Sequence, residues 1–184
     1  MAGDVVDLIM SDHRELEKIF ATLLDEPDKR AGLLPVMTTL LTAHSRAEES
    51  EVYPAATDAG IEDDVEHSQK EHLEADQLAK KLCETDPDSA DFVPALQALV
   101  DAVTHHVKEE EESVLPGIRS GLDDARRAEL GQAFLDARAQ HLGQQPADIT
   151  RDELQQQATN AGVTGTSSMS KSELESTLAD EAES

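Results

Sequence analysis

The sequence predicts an all-α protein: an antiparallel four-helix bundle with an additional C-terminal helix and a small helix-loop-helix tail. Leu, Val and Ala recur at helical spacing through much of the 184-residue chain. Aromatic residues make up only 2% of it, which disfavours a β-sandwich and suits a bundle with an aliphatic core. The connections between the long apolar segments are short, so neighbouring helices are expected to run antiparallel.

Proline and aspartate turns separate the predicted helices from one another. Tyr53-Pro54 is expected to end the second helix, and Pro116-Gly117 the fourth. A fifth helix, about residues 123–142, is expected to pack on the outside of the bundle. The four bundle helices are expected at about residues 5–24, 30–52, 61–83 and 92–115.

The C-terminal segment has a different pattern and is predicted to be a separate unit. Residues 1–142 form the predicted bundle domain, residues 143–148 a linker and residues 149–184 the tail. Two capping boxes, at Thr150–Glu153 and Ser170–Glu173, predict two short helices joined by a loop. We therefore expect deletion of the tail to leave the bundle intact.

The net charge of −25 limits the classes of partner, because 40 acidic residues oppose 15 basic ones. Such a surface repels nucleic-acid phosphates and anionic lipids, and it favours metal cations or a basic partner. The sequence has no basic and apolar leader and no run of 18 apolar residues, so we expect a cytoplasmic protein without membrane contact. The only cysteine, Cys83, is expected to be a buried helix residue.

A repeated pair of histidine and glutamate is the strongest functional signal. His44 and His106 are each followed four residues later by a glutamate, Glu48 and Glu110. Four residues are about one helical turn, so the imidazole and the carboxylate of each pair lie on the same face. A proline follows each histidine after ten residues, so the repeat extends beyond the pair.

Each pair is preceded by a further helical histidine. His13 lies 31 residues before His44, and His72 lies 34 residues before His106. Imidazoles and carboxylates that project inward from facing helices are typical of metal-binding bundles and suit iron, manganese or zinc. A single histidine on a helix is more often a surface or hydrogen-bonded residue, but the repetition of the whole pattern favours a metal site.

The motifs that carry this pattern resemble the hemerythrin-like cation-binding (HHE) domain over roughly residues 4–120. They are Asp12-His13-Arg14-Glu15-Leu16, His44 to Glu48 and on to Tyr53-Pro54, Glu71-His72, and His105-His106 to Glu110 and Pro116. The resemblance implies a four-helix bundle that holds two iron ions with a bridging oxygen, with iron preferred over manganese or zinc. It implies as ligands His13, His44, Glu48, His72, His106 and Glu110, with both glutamates bridging the irons.

The resemblance also implies a class of reactions. Members of the family bind dioxygen or nitric oxide, break down peroxide, or act as sensors. We expect a non-haem di-iron protein that binds or reacts with one of these small ligands, including catalase-like peroxide breakdown. The alternatives are a non-catalytic iron, gas or redox sensor whose tail docks a protein partner, and a structural zinc bundle.

Three histidines and the three glutamates around Glu110 fall outside the implied ligand set. His67 is a poor companion to His72, because five residues place it about 140° around the helix. His105 is expected at the surface or behind the ligands, and His141 lies outside the motifs. Glu109, Glu111 and Glu112 are expected to form a solvated helix face, although any of them could support a ligand.

Tyr53 is an additional candidate at the metal site. Four histidines, two bridging glutamates and a bridging oxygen leave each octahedral iron one ligand short, and oxygen-carrying hemerythrins supply a fifth histidine. The Tyr53 phenolate could bind iron, or its hydroxyl could hydrogen-bond an oxygen ligand. The alternative is a tyrosine packed at a helix end with its hydroxyl in water.

The tail resembles the small N-terminal domain of transcription terminator Rho, which is similar to SAP-type helix-loop-helix domains. Such domains often contact nucleic acid. Residues 149–184, however, hold two basic residues, Arg151 and Lys171, against seven acidic ones. A protein-docking role is therefore the better expectation for the tail.

Overall fold

The bounds of the observed helices are close to those of the predicted helical segments. The computed structural model describes residues 3–182, and within them the regular structure is helical, without strands. This confirms the all-α prediction. In chain order the helices are α1 (Val5–Asp25), α2 (Arg30–Ala47), α3 (Tyr53–Asp58), α4 (Glu62–Cys83), α5 (Phe92–Glu112), α6 (Val114–Gly121), α7 (Asp124–His141), α8 (Arg151–Asn160) and α9 (Lys171–Ala182).

Four of these helices form the bundle, and their apolar faces make two separate cores. α1 and α4 each contact both α2 and α5, so the four helices close into a ring. On α1, Ile9 belongs to one core and Leu16 to the other. His13 is buried between these two residues. The bundle therefore has a polar layer between two apolar layers.

Pro54 and Pro116 do not end their helical segments as predicted. α2 continues through a π-helical segment, Glu48–Val52, directly into α3, where Pro54 lies in the first turn. α5 ends at Glu112, and α6 begins two residues later with Pro116 in its first turn. A proline is tolerated there because the first N–H groups of a helix lack intrahelical partners. Each proline therefore lies in the first turn of a further short helix.

The fifth predicted helix, α7, packs outside the ring but contributes to its core. It contacts α1 and α2. Phe134 is completely buried and belongs to the same core as Ile9. At Gly131, a Cβ atom would clash with the carbonyl oxygen of Gly3, so glycine permits the close approach of α7 to the start of α1.

The tail forms the expected helix-loop-helix and packs against α4. Both capping boxes are present, with Thr150 and Glu153 bonded at the start of α8 and Ser170 and Glu173 at the start of α9. A third apolar cluster joins Leu73 of α4 to buried tail residues Ile149, Leu154, Ala158, Leu174 and Leu178. These contacts argue against the expectation that deletion of the tail leaves the bundle unchanged.

Two further expectations concern the surface. Cys83 lies on a helix as predicted, but the prediction that it is buried is wrong, since it is exposed at the last residue of α4. Across residues 3–182, none of the helices is both long enough and apolar enough to cross a membrane.

Candidate metal centre

The six predicted ligands meet in the polar layer of the bundle. Each is at most 5% exposed, and His13, Glu48 and Glu110 are completely buried. α1 and α4 each contribute one histidine, whereas α2 with its π segment and α5 each contribute a histidine and a glutamate. The six residues are His13, His44, Glu48, His72, His106 and Glu110.

The histidines form two pairs. The ring centroids of His13 and His44 lie 5.1 Å apart, and those of His72 and His106 lie 4.5 Å apart. In the second pair the two Nε2 atoms approach to 3.0 Å. Each pair joins two neighbouring helices of the ring, α1 with α2 and α4 with α5.

Each glutamate lies between the two pairs. Oε2 of Glu48 is 3.2 Å from Nε2 of His44 and 3.4 Å from Nε2 of His72. Oε2 of Glu110 is 3.3 Å from Nε2 of His13 and 4.0 Å from Nε2 of His106. Each carboxylate therefore faces one histidine of each pair, an arrangement that could serve two neighbouring cations.

In the polar layer, two groups of side chains have potential ligand atoms that all lie within 4.8 Å of one another. The first is His13, His44 and Glu48, and the second is Glu48, His72 and His106. Glu48 belongs to both groups. Imidazole nitrogens and carboxylate oxygens are ligands for first-row transition metals. The donor atoms therefore fit metal ions at this position.

Several of these atoms are buried without a hydrogen-bond partner. They include Nε2 of His13 and both carboxylate oxygens of Glu48 and of Glu110. Nε2 of His13 is close to Glu110 but is not aligned for a hydrogen bond. A buried carboxylate without hydrogen bonds is costly, and metal coordination is one of the few ways to compensate it.

The raised pKa values of two histidines result from the same excess of negative charge. Burial by itself would lower the pKa of His13, but the neighbouring Glu110 carboxylate raises it to about 9. Burial likewise opposes, and Glu48 and Glu49 produce, the rise in the pKa of His72 to about 10. The histidines thus supply positive charge that a bound cation would supply instead.

A carboxylate lies behind each of the four histidines, on the Nδ1 side. The Nδ1 atoms of His13 and His106 are 2.9 Å and 3.0 Å from their carboxylates, and those of His44 and His72 are 3.4 Å and 3.3 Å from theirs. An Nδ1–H bonded to a carboxylate leaves Nε2 free to bind a metal and fixes the direction of the ring. The four partners, in the same order, are Glu111, Glu71, Asp12 and Glu49.

The four carboxylates support the histidines in a cyclic order around the bundle. Asp12 of α1 supports the histidine of α2, and Glu49 of the π segment supports that of α4. Glu71 of α4 supports the histidine of α5, and Glu111 of α5 supports that of α1. Each helix therefore orients the candidate ligand of the next helix.

Sequence reasoning did not identify this ring, although a signal was present. Asp12 and Glu71 directly precede His13 and His72, and Glu49 and Glu111 directly follow Glu48 and Glu110. The adjacent acid points about 100° away from its neighbour on the same helix, towards the next helix. Only the packing of the helices shows which histidine it meets.

Glu49 is the most deeply embedded of the four supports. Its Oε2 accepts a 2.8 Å hydrogen bond from Arg46, which is itself buried and also bonds Asp76. Burial would raise the pKa of Glu49, but the Arg46 charge lowers it to about 2. From the tail, the amide of Gln157 donates to Oε1 of Glu49 over 3.1 Å, and the amide of Asn160 donates to its backbone carbonyl over 3.0 Å.

Tyr53 lies at the centre rather than at a solvated helix end. Its side chain is completely buried, and its hydroxyl is 3.1 Å from Nε2 of His72. The prediction of a hydroxyl in water is therefore wrong, because the π segment carries the chain past the expected helix end. Burial and the surrounding carboxylates, including Glu110 and Glu48, raise the pKa of the Tyr53 phenol well above its usual value.

The remaining histidines do not join the centre. His67 and His105 are both more than half exposed on the α4–α5 surface, where they lie near Glu109. His141 pairs with Glu153 near the start of the tail. Glu112 is exposed, as expected of a solvated face, whereas Glu111 points inward to support His13.

A narrow recess between α1 and α5 is lined by one residue of the centre, His13. Its wall is mostly apolar, and His13 lies at its inner side. The other lining residues are Leu16, Glu17, Phe20, Val103, Thr104 and Val107. Such a recess suits a small uncharged ligand better than a charged or bulky one.

Two curated proteins are similar to the chain. One, from Nostoc sp. (strain PCC 7120), is described as a DNA nickase and is 26% identical over 87% of this chain and 44% of its own length. The other, an uncharacterized hemerythrin-like protein from Schizosaccharomyces pombe (strain 972), is 24% identical over 71% of this chain and 66% of its own length. The chain thus spans less than half of the first relative and just under two thirds of the second. No solved structure matches the chain.

The family comparison covers most of the bundle. Residues 4–118 match the hemerythrin HHE cation-binding domain. This range contains all six predicted ligands and their four supporting carboxylates, and it stops before α7 and the tail. The chain therefore belongs to the hemerythrin HHE cation-binding domain family.

Proposed function

We propose that the protein is a non-haem di-iron protein that binds or reacts with dioxygen, peroxide or nitric oxide. The arrangement of each glutamate between two histidine pairs is the observation that carries this proposal. One iron would be held by His13 and His44 and the other by His72 and His106. Glu48 and Glu110 would be shared between them.

Iron is the preferred metal because of the membership in the hemerythrin family, and the imidazole and carboxylate donors are compatible with it. The only cysteine is exposed at the far end of α4. When bound, a pair of iron ions supplies redox chemistry towards dioxygen, peroxide or nitric oxide that protein side chains alone lack. The carboxylates on the Nδ1 side would hold the imidazoles in direction and tautomer.

The surrounding residues would restrict access and orient the small ligand. The recess beside His13 is narrow and largely apolar, which favours small uncharged molecules. The Tyr53 hydroxyl lies beside the His72–His106 pair, where it could donate a hydrogen bond to a small ligand or bind iron directly. Phe134 packs edge-on against His44, with ring centroids 6.0 Å apart, and helps keep water from that side.

The second candidate is a non-catalytic sensor of iron, gas or redox state. Its support is the contact of the tail with Glu49, since Glu49 also faces His72. A change at the centre could thus alter how the tail packs. The Rho-like character of the tail and a protein partner for it belong to this candidate.

A role on DNA is not part of the proposal. One relative carries the name DNA nickase, but the present chain spans less than half of it. The net charge of −25 opposes contact with phosphate backbones. A sub-micromolar affinity of the full chain for duplex DNA at physiological salt would change this conclusion.

The proposal is tested by loading the protein with ferrous iron under exclusion of air and then exposing it to air. We expect two iron ions per chain by elemental analysis and an oxo-to-iron absorption band in the near ultraviolet. A colourless protein that retains zinc and rejects iron would overturn the di-iron proposal. Rapid gas evolution on addition of peroxide favours the enzyme, whereas its absence with an intact iron centre favours the sensor.

A further inference from the structure

A second cluster of histidines and glutamates lies on the surface formed by α4 and α5. It consists of His67 and Glu71 on α4 and of His105 and Glu109 on α5, and it is called the outer cluster below. Each helix supplies a histidine and a glutamate four residues apart, so each pair occupies one helical face. The His-x-x-x-Glu pattern of the central site is thus repeated here twice more.

In three of the four side chains, His67, Glu71 and Glu109, potential ligand atoms all lie within 4.8 Å of one another, and His105 adjoins both carboxylates. Nε2 of His67 is 3.0 Å from Oε2 of Glu109 and 3.8 Å from Oε1 of Glu71. Nε2 of His105 is 3.3 Å from Oε1 of Glu71 and 3.6 Å from Oε1 of Glu109. Both imidazoles therefore face both carboxylates, which exceeds what two independent ion pairs require.

The four imidazole–carboxylate separations are close to the ligand–ligand separations around a tetrahedral metal ion. Zinc binds imidazole nitrogen and carboxylate oxygen at about 2.0–2.2 Å, which places neighbouring ligand atoms about 3.3–3.5 Å apart. The four measured separations fall on both sides of that value. Small side-chain movements would be sufficient to admit the ion, since both histidines and Glu109 are substantially exposed.

An unsatisfied atom of Glu71 points independently to a ligand. The Glu71 side chain is only 10% exposed, and its Oε1 is buried and accepts no hydrogen bond. Its other oxygen, Oε2, is already used by Nδ1 of His106 over 3.0 Å. An acceptor left in this state is costly unless a further group binds it. Oε1 is the oxygen that faces His67 and His105.

We propose that the outer cluster binds one divalent transition-metal ion, for which Zn²⁺ is the best-matched probe. Two imidazoles and two carboxylates complete a tetrahedral shell, and the two carboxylate charges neutralise the ion. The strongly acidic surface would raise the local concentration of cations. This site is separate from the central one but shares Glu71 with it, because Glu71 also supports His106.

The test compares the full-length protein with the double variant His67→Gln, His105→Gln. Both proteins keep all six central ligands, so any difference in zinc content reports on the outer cluster alone. We expect equilibrium dialysis against Zn²⁺ to show one more zinc per chain in the wild-type protein. His141→Gln, which removes a partly buried histidine outside both sites, is the control and should keep the wild-type zinc content.

Cobalt provides a second measurement. Titration with Co²⁺ should produce the visible bands of a tetrahedral ion in the wild-type protein, with an intensity that falls in the double variant. Equal zinc content in the wild-type and double-variant proteins, with identical cobalt spectra, would overturn the proposal. Circular dichroism of the double variant verifies that it is folded. A failure of the di-iron proposal would appear in the iron content and would leave this difference unaffected.

Discussion

The two halves of the central site repeat in sequence but differ in their surroundings. On the α2 side, Glu48 and Glu49 are both buried, and α7 and α8 pack against the π segment that carries them. On the α5 side, Glu110 is buried, but Glu111 is partly exposed and Glu112 fully so. The same pair of adjacent acids therefore lies within the protein in one half and near its surface in the other.

This difference shows that a repeated motif specifies the ligand positions but not how strongly the carboxylates that support the ligands are held. Glu49 is held by buried Arg46 and by two side chains of the tail. Glu111 pairs with Arg14, whose side chain is 47% exposed. Breaking a buried ion pair is far more costly than breaking an exposed one, so equivalent substitutions in the two halves should have unequal effects.

The largest expected effect is on metal content, and it should be equal in the two halves. Glu48→Ala and Glu110→Ala each remove a carboxylate that faces both histidine pairs. We expect iron to fall from two ions per chain to one or none, with loss of the near-ultraviolet band. Elemental analysis measures this, and Glu112→Ala, an exposed neighbour, is the control. Retention of two irons and an unchanged spectrum in Glu110→Ala would show that the ligand assignment is wrong.

The second prediction concerns Glu49 and Glu111, the carboxylates that support histidines, and it should distinguish the two halves of the site. Glu49→Ala should lower the free energy of unfolding by about 3 kcal/mol, the low end for breaking a buried pair, because Asp76 still bonds Arg46. Glu111→Ala should cost less, about 1–2 kcal/mol, because its ion pair with Arg14 is half exposed although Nδ1 of the buried His13 also loses its partner. Urea unfolding of the metal-free proteins measures both. Equal losses would show that burial does not distinguish the two halves.

The third prediction concerns the tail, which packs on α4 and also hydrogen-bonds Glu49 on the α2 side. Asn160→Ala removes buried hydrogen bonds to the carbonyl of Glu49 and to Gln69. We expect a loss of about 1–3 kcal/mol in the free energy of unfolding, because the partners are left unsatisfied. Ser168→Ala, on the exposed loop between α8 and α9, is the control and should be neutral. If Asn160→Ala were equally neutral, the tail would have to be regarded as energetically independent of the bundle.

The smallest expected effect is at the position where the repeat differs in side chain. Tyr53 and Leu115 each directly precede the repeated proline, but only Tyr53 brings a hydroxyl to the centre. Tyr53→Phe should leave the iron content at two and change stability by no more than about 1.5 kcal/mol. It should remove any visible charge-transfer band and alter peroxide turnover. An identical spectrum and identical turnover would leave Tyr53 a packing residue.

The sequence by itself determined the class of fold, the helices and the grouping of the six candidate ligands. Helical spacing places an imidazole and a carboxylate on one face, and apolar stripes on both sides require that face to point inward. The capping boxes of the tail are equally local, since each involves residues three positions apart. Such features are predictable because their partners lie within one turn of the same chain segment.

Only the tertiary structure decided which groups meet across helices. The pairing of His13 with His44, the ring of carboxylates behind the histidines and the burial of Tyr53 all depend on helix packing. The sequence could not show that Pro54 begins a helix after a π segment, or that Asn160 reaches Glu49 from 111 residues away. A contact between distant segments depends on how whole faces pack, and residue spacing within one helix contains no information on that.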